Sequence, residues 1–156
     1  MVHRCPTGAL LLLIAGINLL WAGPAHAALG GDAASVLADG VASKGTVNPV
    51  IRQQYDIEEF TADTGVQVRE YLNRDGVVFA VSWTGPVLPD LQRLLGTHFA
   101  AYTEGLAALN HPGLQRSVRV ASSALVVESD GHLRAYAGRA YVPALMPAGV
   151  SPAELR

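Results

Sequence analysis

The chain has 156 residues, half of them hydrophobic, with 11 basic and 13 acidic side chains and a net charge of −2. That length suits one domain with a core of its own, and so mild a charge argues against a nucleic-acid partner. A single cysteine, Cys5, excludes an internal disulfide.

The amino terminus reads as an export signal. His3 and Arg4 make a short positive end, an apolar run from Ala9 to Trp21 follows, and Ala25-His26-Ala27 presents small residues at the spacing of a cleavage site. Cleavage after Ala27 is expected over retention as an anchor, because Gly16 and Asn18 interrupt the run and it falls short of the roughly 20 residues that span a bilayer. Cys5 precedes the run, so it is no lipid-anchor cysteine. Removing residues 1–27 leaves 156 − 27 = 129 residues, without a cysteine. No membrane span is expected after that cut, and the predicted location is the periplasm or the exterior.

Residues 28–54 read as an arm rich in Ala, Gly and Ser, with helical turns predicted at Ser35–Ala42 and a turn at Asn48-Pro49. The arm is expected to be a loosely packed extension or a cover over a sheet. From Tyr55 to Pro143 the pattern is that of a domain. Strands are predicted at Tyr55–Ala62, Val66–Asn73 and Val77–Trp83, with turns at Asp63-Thr64-Gly65 and Arg74-Asp75-Gly76. The third strand is apolar or small on both faces, as a central strand is.

Pro89 and Asp90 open a helix whose apolar stripe runs through Leu91, Leu94, Leu95, Phe99, Tyr102, Leu106 and Leu109. Gly96, inside that stripe, predicts close packing on the sheet. His111-Pro112-Gly113 ends it. Val118–Glu128 reads as a strand with a bulge near Ser122-Ser123, Asp130-Gly131 as a hairpin turn, and His132–Ala137 and Arg139–Val142 as strands split by Gly138. Residues 144–156 read as an irregular tail. The fold expected is α+β: an antiparallel sheet of hairpins with one long amphipathic helix on a face.

The chemistry-bearing residues are sparse. Three histidines remain after the leader, His98, His111 and His132, none at metal-site spacing, so no metal and no cofactor are expected. Ser129, Asp130 and His132 lie close in sequence and suggest a small periplasmic hydrolase, but neighbouring turn residues diverge and no G-x-S-x-G is present. A polar, solvated turn is the favoured account of them. Asp56, Glu58 and Glu59 read as a solvated strand face rather than paired glycosidase carboxylates.

One pattern stands out. Three of the five tyrosines carry an arginine two residues earlier: Arg69 with Tyr71, Arg134 with Tyr136, and Arg139 with Tyr141. On a strand that spacing puts each pair on one face, and a bulge at Gly138 would put the last two pairs together. Such a face suits an anionic polysaccharide or an acidic envelope protein. Half-exposed arginine and tyrosine also stabilise sheets without binding anything.

The ordered set Ala28-Leu29-Gly30-Gly31, Val68-Arg69-Glu70-Tyr71, Trp83-x-Gly85-Pro86, Pro89-Asp90-Leu91, Leu94-Leu95-Gly96 and Gly131-His132-x-Arg134-Ala135-Tyr136-x-Gly138-Arg139-Ala140-Tyr141 resembles the DUF2844 family of exported bacterial proteins. The resemblance implies export, one domain and a Gram-negative setting, and it transfers no catalytic residue. The expectation is a non-catalytic envelope binding or assembly module, with the hydrolase as the alternative.

Overall fold

A computed structural model describes residues 29–32, 48–51, 54–109 and 116–156. The leader expected over 1–27, the helical turns expected at Ser35–Ala42, and His111 lie outside the described residues.

Seven strands form one antiparallel sheet: β1 (Asn48–Ile51), β2 (Asp56–Thr61), β3 (Gln67–Leu72), β4 (Val78–Gly85), β5 (Ser117–Ala121), β6 (Val126–His132) and β7 (Ala135–Tyr141). Their spatial order is β1-β2-β3-β4-β7-β6-β5. Four strands meander up to β4, the chain crosses through the helix, and three more return so that β7 closes onto β4. The α+β class and the antiparallel sheet of hairpins expected from the sequence are what the structure shows. β4, expected to be central, has three strands on either side, and its residues Val78–Trp83 are all buried.

Turn chemistry sets the first two hairpins. Gly65 and Gly76 hold φ of +80° and +73°, which few other residues tolerate. Asn73 Oδ1 accepts from the amides of Asp75 and Val77, both at 3.0 Å, closing the second turn with a side chain. Between Tyr71 and Leu72 the β3–β4 register shifts, so Phe79 is the extra residue of a bulge.

The helical run comprises α1 (Leu91–Leu95), a 3-10 turn at Gly96–His98 and α2 (Phe99–Ala108). Asp90 is the N-cap, its carboxylate accepting from the amide of Arg93 at 3.1 Å. Gly96 has a different role from the one its spacing implied: it carries φ +50°, the backbone conformation that interrupts the helix. The glycine that permits close packing is Gly105, where a Cβ would overlap the Cγ1 of Val120 on β5.

The sheet separates two cores. On the helix face Leu94, Leu95 and Tyr102 pack over Phe60, Val68, Val81, Trp83 and Val127. On the opposite face Ile57, Tyr71, Phe79, Val126 and Tyr141 pack beneath Val150 and Leu155 of the tail. At roughly 25 cal/mol per Å² of apolar surface buried, rows of covered aromatic and branched side chains on both faces supply the main driving force.

Several local features differ from the sequence expectation. Asn48-Pro49 begins edge strand β1, paired with β2, and the exposed Pro49 sits where a missing amide hydrogen is tolerated. Ser122-Ser123 is a hairpin turn rather than a bulge: Ser122 Oγ accepts from Ala124 and Leu125, and its own hydroxyl donates to the Leu125 carbonyl. Asp130-Gly131 belongs to β6, and the hairpin turns instead at Leu133-Arg134. Gly138 is no bulge, because β7 keeps unbroken register with both β4 and β6. Its bare Cα accommodates the Trp83 indole, which a Cβ there would overlap. That indole's Nε1 is buried without an acceptor among the described residues.

Segments flanking the strands also take part. Leu29 is buried between helix and sheet, its amide donating to Leu94 O at 3.0 Å, and Gly30 and Gly31 exchange main-chain bonds with Val78. Residues 143–156 hold only short 3-10 turns, at Pro143–Leu145 and Pro152–Glu154, yet they lie on the sheet.

Candidate functional site

The three Arg-x-Tyr pairs divide between locations because β7 has no bulge. Arg69 and Tyr71 on β3, and Arg139 and Tyr141 on β7, project from the tail face. Tyr136 alternates with Arg139, so it projects from the helix face, where its ring lies against Gly131. Arg134 is on neither face. It occupies the hairpin turn, exposed, with φ +61°, the one non-glycine residue among those described in that region.

On the tail face the arginines sit in a row that crosses six strands. Cross-strand partners run Glu59, Arg69, Ser82, Arg139, Glu128, Arg119. Arg69 Nε lies 3.2 Å from Glu59, Arg139 Nε donates to Glu128 at 2.7 Å, and Arg119 Nε lies 3.0 Å from the other Glu128 oxygen. The signs alternate where the side chains touch, which is how charges stabilise neighbouring strands. Ser82 separates the two inner arginines at the centre.

The tail closes over this row. Arg69 Nη1 and the Tyr71 hydroxyl both donate to the main-chain oxygen of Arg156, the latter at 3.0 Å, and Arg139 Nη1 donates to Pro152 O at 2.6 Å. Because the single Tyr71 proton goes to Arg156, the 3.3 Å contact with Ser82 is donated by the serine. Tyr71 and Tyr141 are buried, and Tyr71 makes ring contacts with Tyr55 and Phe79 at 5.8 and 6.2 Å between centroids. Four of the six residues singled out from the sequence are therefore already engaged by the protein's own groups.

Ser129, Asp130 and His132 are on a strand, where alternation separates them. Ser129 shares a face with Val127 and the helix-side core, while Asp130 and His132 share the face of Glu128. The serine and the histidine thus project from opposite sides of the sheet. Asp130 lies at a shallow cleft of about 270 Å³ beside Glu128, Arg139 and Arg156, where the tail's end leaves the sheet. Among the described residues no group of three or more His, Cys, Asp or Glu is placed to hold a metal ion.

Of the acidic cluster, Glu59 faces Arg69 across the strands, while Asp56 and Glu58 face the helix side. Partial burial, and then the charge of Asp56, raise the Glu58 pKa above its usual 4.5. Sequence reasoning missed the residue next to them. Glu70, read only as the middle of Arg69-x-Tyr71, is fully buried on the helix face opposite Glu58 and Val81. The available signal was strand parity, which puts Glu70 on the same side as Val68 and Leu72. Missed as well was the tail's Ser151-Pro152-Ala153-Glu154, a capping box in which Ser151 Oγ accepts from Ala153 and the Glu154 carboxylate accepts from the Ser151 amide.

The fold is a single-sheet α+β architecture in which Arg69, Tyr71 and Arg139 bind the protein's own chain. Residues 25–155 match the family described as Protein of unknown function (DUF2844), nearly the whole chain. The chain belongs to that family. No curated protein and no solved structure matches it. No helix among the described residues is long and apolar enough to cross a membrane.

Proposed function

We propose that residues 1–27 export the chain and that the mature domain is a non-catalytic envelope module, binding another exported protein through the end of the sheet that carries the β6–β7 turn. The observation behind the binding surface is Leu133, 94% exposed at that turn. A single exposed leucine is ordinary surface. Here the other large exposed apolar side chains among the described residues, Val87 and Leu88, follow β4 just past Gly85-Pro86, and Gly85 pairs with Tyr136. Both loops therefore sit at one end of the sheet.

Arg134 supports the same reading. A left-handed φ strains an arginine by roughly 1–2 kcal/mol, where glycine would sit without strain. An exposed guanidinium held beside an exposed leucine fits an apolar socket with an acidic rim. An anionic polysaccharide would use Arg134 and Tyr136 but leave Leu133 idle.

Capture from envelope extract by the mature domain tests this. The expected result is one protein bound by the wild type, lost with Leu133→Ser and weakened with Arg134→Ala, both variants being folded by circular dichroism. Capture indifferent to Leu133→Ser removes the surface. Retention of an acidic polysaccharide, sensitive to Arg134→Ala alone, replaces the protein partner with a polymer. Export is tested by the mass of the protein recovered outside the cytoplasm, expected to begin at Ala28.

A further inference from the structure

The tail is held in an unusual way for a segment that covers a core. Among the described residues, the main-chain hydrogen bonds of residues 143–156 close within the segment or onto Val142, from Leu145→Val142 to Leu155→Pro152. Its grip on the sheet comes from side chains. Arg69, Tyr71 and Arg139 donate to its main-chain oxygens, and Val150 and Leu155 fill apolar sockets. Its own polar side chains look inward to itself: Ser151 and Glu154 make the capping box.

The segment brings its own local structure to the sheet, so docking it breaks no strand pairing. The sheet reads it by two main-chain oxygens and a leucine between them, without reference to which chain supplies them. The connection from Val142 to Val150 is short, with Pro143, Pro147 and a Gly149 at φ +86°, and short constrained hinges favour exchange between copies.

We infer that the tail face is a peptide-docking groove whose partner is a second copy of this chain: segment Val150–Arg156 docks in trans on the same Arg69, Tyr71 and Arg139 donors. This surface is separate from the turn at Leu133. In the monomer the chain's own tail competes at an effective concentration in the millimolar range for a short linker, so exchange is favoured where copies are crowded or where one tail is lost.

Complementation decides it. One chain carries Leu155→Ala, leaving its groove intact and its tail weakened. The other carries Arg69→Gln with Arg139→Gln, leaving its tail intact and its groove weakened. The expected result by analytical ultracentrifugation is that each alone is a monomer, while the mixture forms a 1:1 heterodimer. Two folded variants that sediment as monomers when mixed overturn the inference. Should either variant fail to fold, the wild type is refolded from denaturant at about 10 µM, far below that effective concentration, and at about 1 mM, which reaches it. Dimers enriched at least several-fold at the higher concentration support exchange, and monomer alone at both refutes it.

Discussion

The two faces of the sheet are closed by different physics. The helix face is sealed by one periodic element whose leucines and aromatics interlock with strand side chains, and its closest approaches depend on bare Cα atoms at Gly105 and Gly138. The tail face is sealed by a segment of short 3-10 turns, held by arginine and tyrosine donors to its main chain and by apolar side chains led by Val150 and Leu155. Packing of the first kind is intolerant of added volume. Attachment of the second kind adds no strand to the sheet, so its loss is expected to leave the ladder beneath intact.

The largest effect is expected on the helix face. Gly138→Val introduces a Cβ that overlaps the Trp83 ring and the Glu128 carbonyl, and neither can move without disturbing the central strands. Destabilisation of about 3 kcal/mol or more is expected from overpacking at so constrained a position, read from urea unfolding. A loss below about 1 kcal/mol, the low end for overpacked cores, would show that the Trp83–Gly138 contact is loose and that the helix face tolerates volume as the tail face does.

Next comes the tail. Leu155→Ala removes a fully buried anchor and is expected to cost about 2–3 kcal/mol, the lower part of the range for buried leucine because an irregular cover can relax. The signature that separates the faces is cooperativity. Hydrogen exchange in the variant should accelerate in residues 143–156 while β4 and the helix stay protected. Uniform acceleration across both faces would make the tail an integral layer instead of a detachable one.

This contrast also explains what is legible in the sequence. The helix announces itself by its 3.6-residue repeat and β3 by alternation, β4 instead by a run that is apolar or small on both faces, and Asp63–Gly65 and Arg74–Gly76 carry explicit turn chemistry. Beyond Val118 the signals mislead. Asp130-Gly131 looks like a turn, yet Gly131 serves to let the Tyr136 ring lie against it, and the actual turn uses Leu133 and Arg134, which no propensity favours there. A glycine in a strand can mean a bulge or a ring packed on the backbone, and only the cross-strand partner decides. The i, i+2 spacing of Arg and Tyr does put Arg69 with Tyr71, and Arg139 with Tyr141, on one face. The arginines' partners lie 10 to 87 residues away, at Glu59, Glu128, Pro152 and Arg156, and no local pattern shows such contacts.

Arg134→Gly separates stability from binding at the exposed turn. Relief of the left-handed strain, offset partly by glycine's greater freedom in the unfolded chain, is expected to raise stability by about 0.5–1 kcal/mol. Capture of the partner should weaken at the same time. A variant that is more stable and binds undiminished would leave the guanidinium without a role and the strain without a function.

The smallest effect concerns acid. Glu58 projects from the helix face with Asp56 beside it and the buried Glu70 across the strand pair. Its folded-state pKa is raised, so between the usual 4.5 and that raised value the folded protein binds more protons than the unfolded one. Stability therefore falls as pH rises through that window and is regained as pH falls. Glu58→Gln should remove this slope and leave the protein slightly more stable at neutral pH, with urea midpoints at pH 4, 5, 6 and 7 as the measurement. The tail-face carboxylates Glu59 and Glu128 contact arginines and supply an internal contrast, since Glu128→Gln removes an ion-pair partner rather than a partly desolvated charge. If Glu58→Gln instead lowers stability at pH 7, the Glu58 charge has a favourable partner in the folded state, and the helix face relies on ionic contacts as the tail face does.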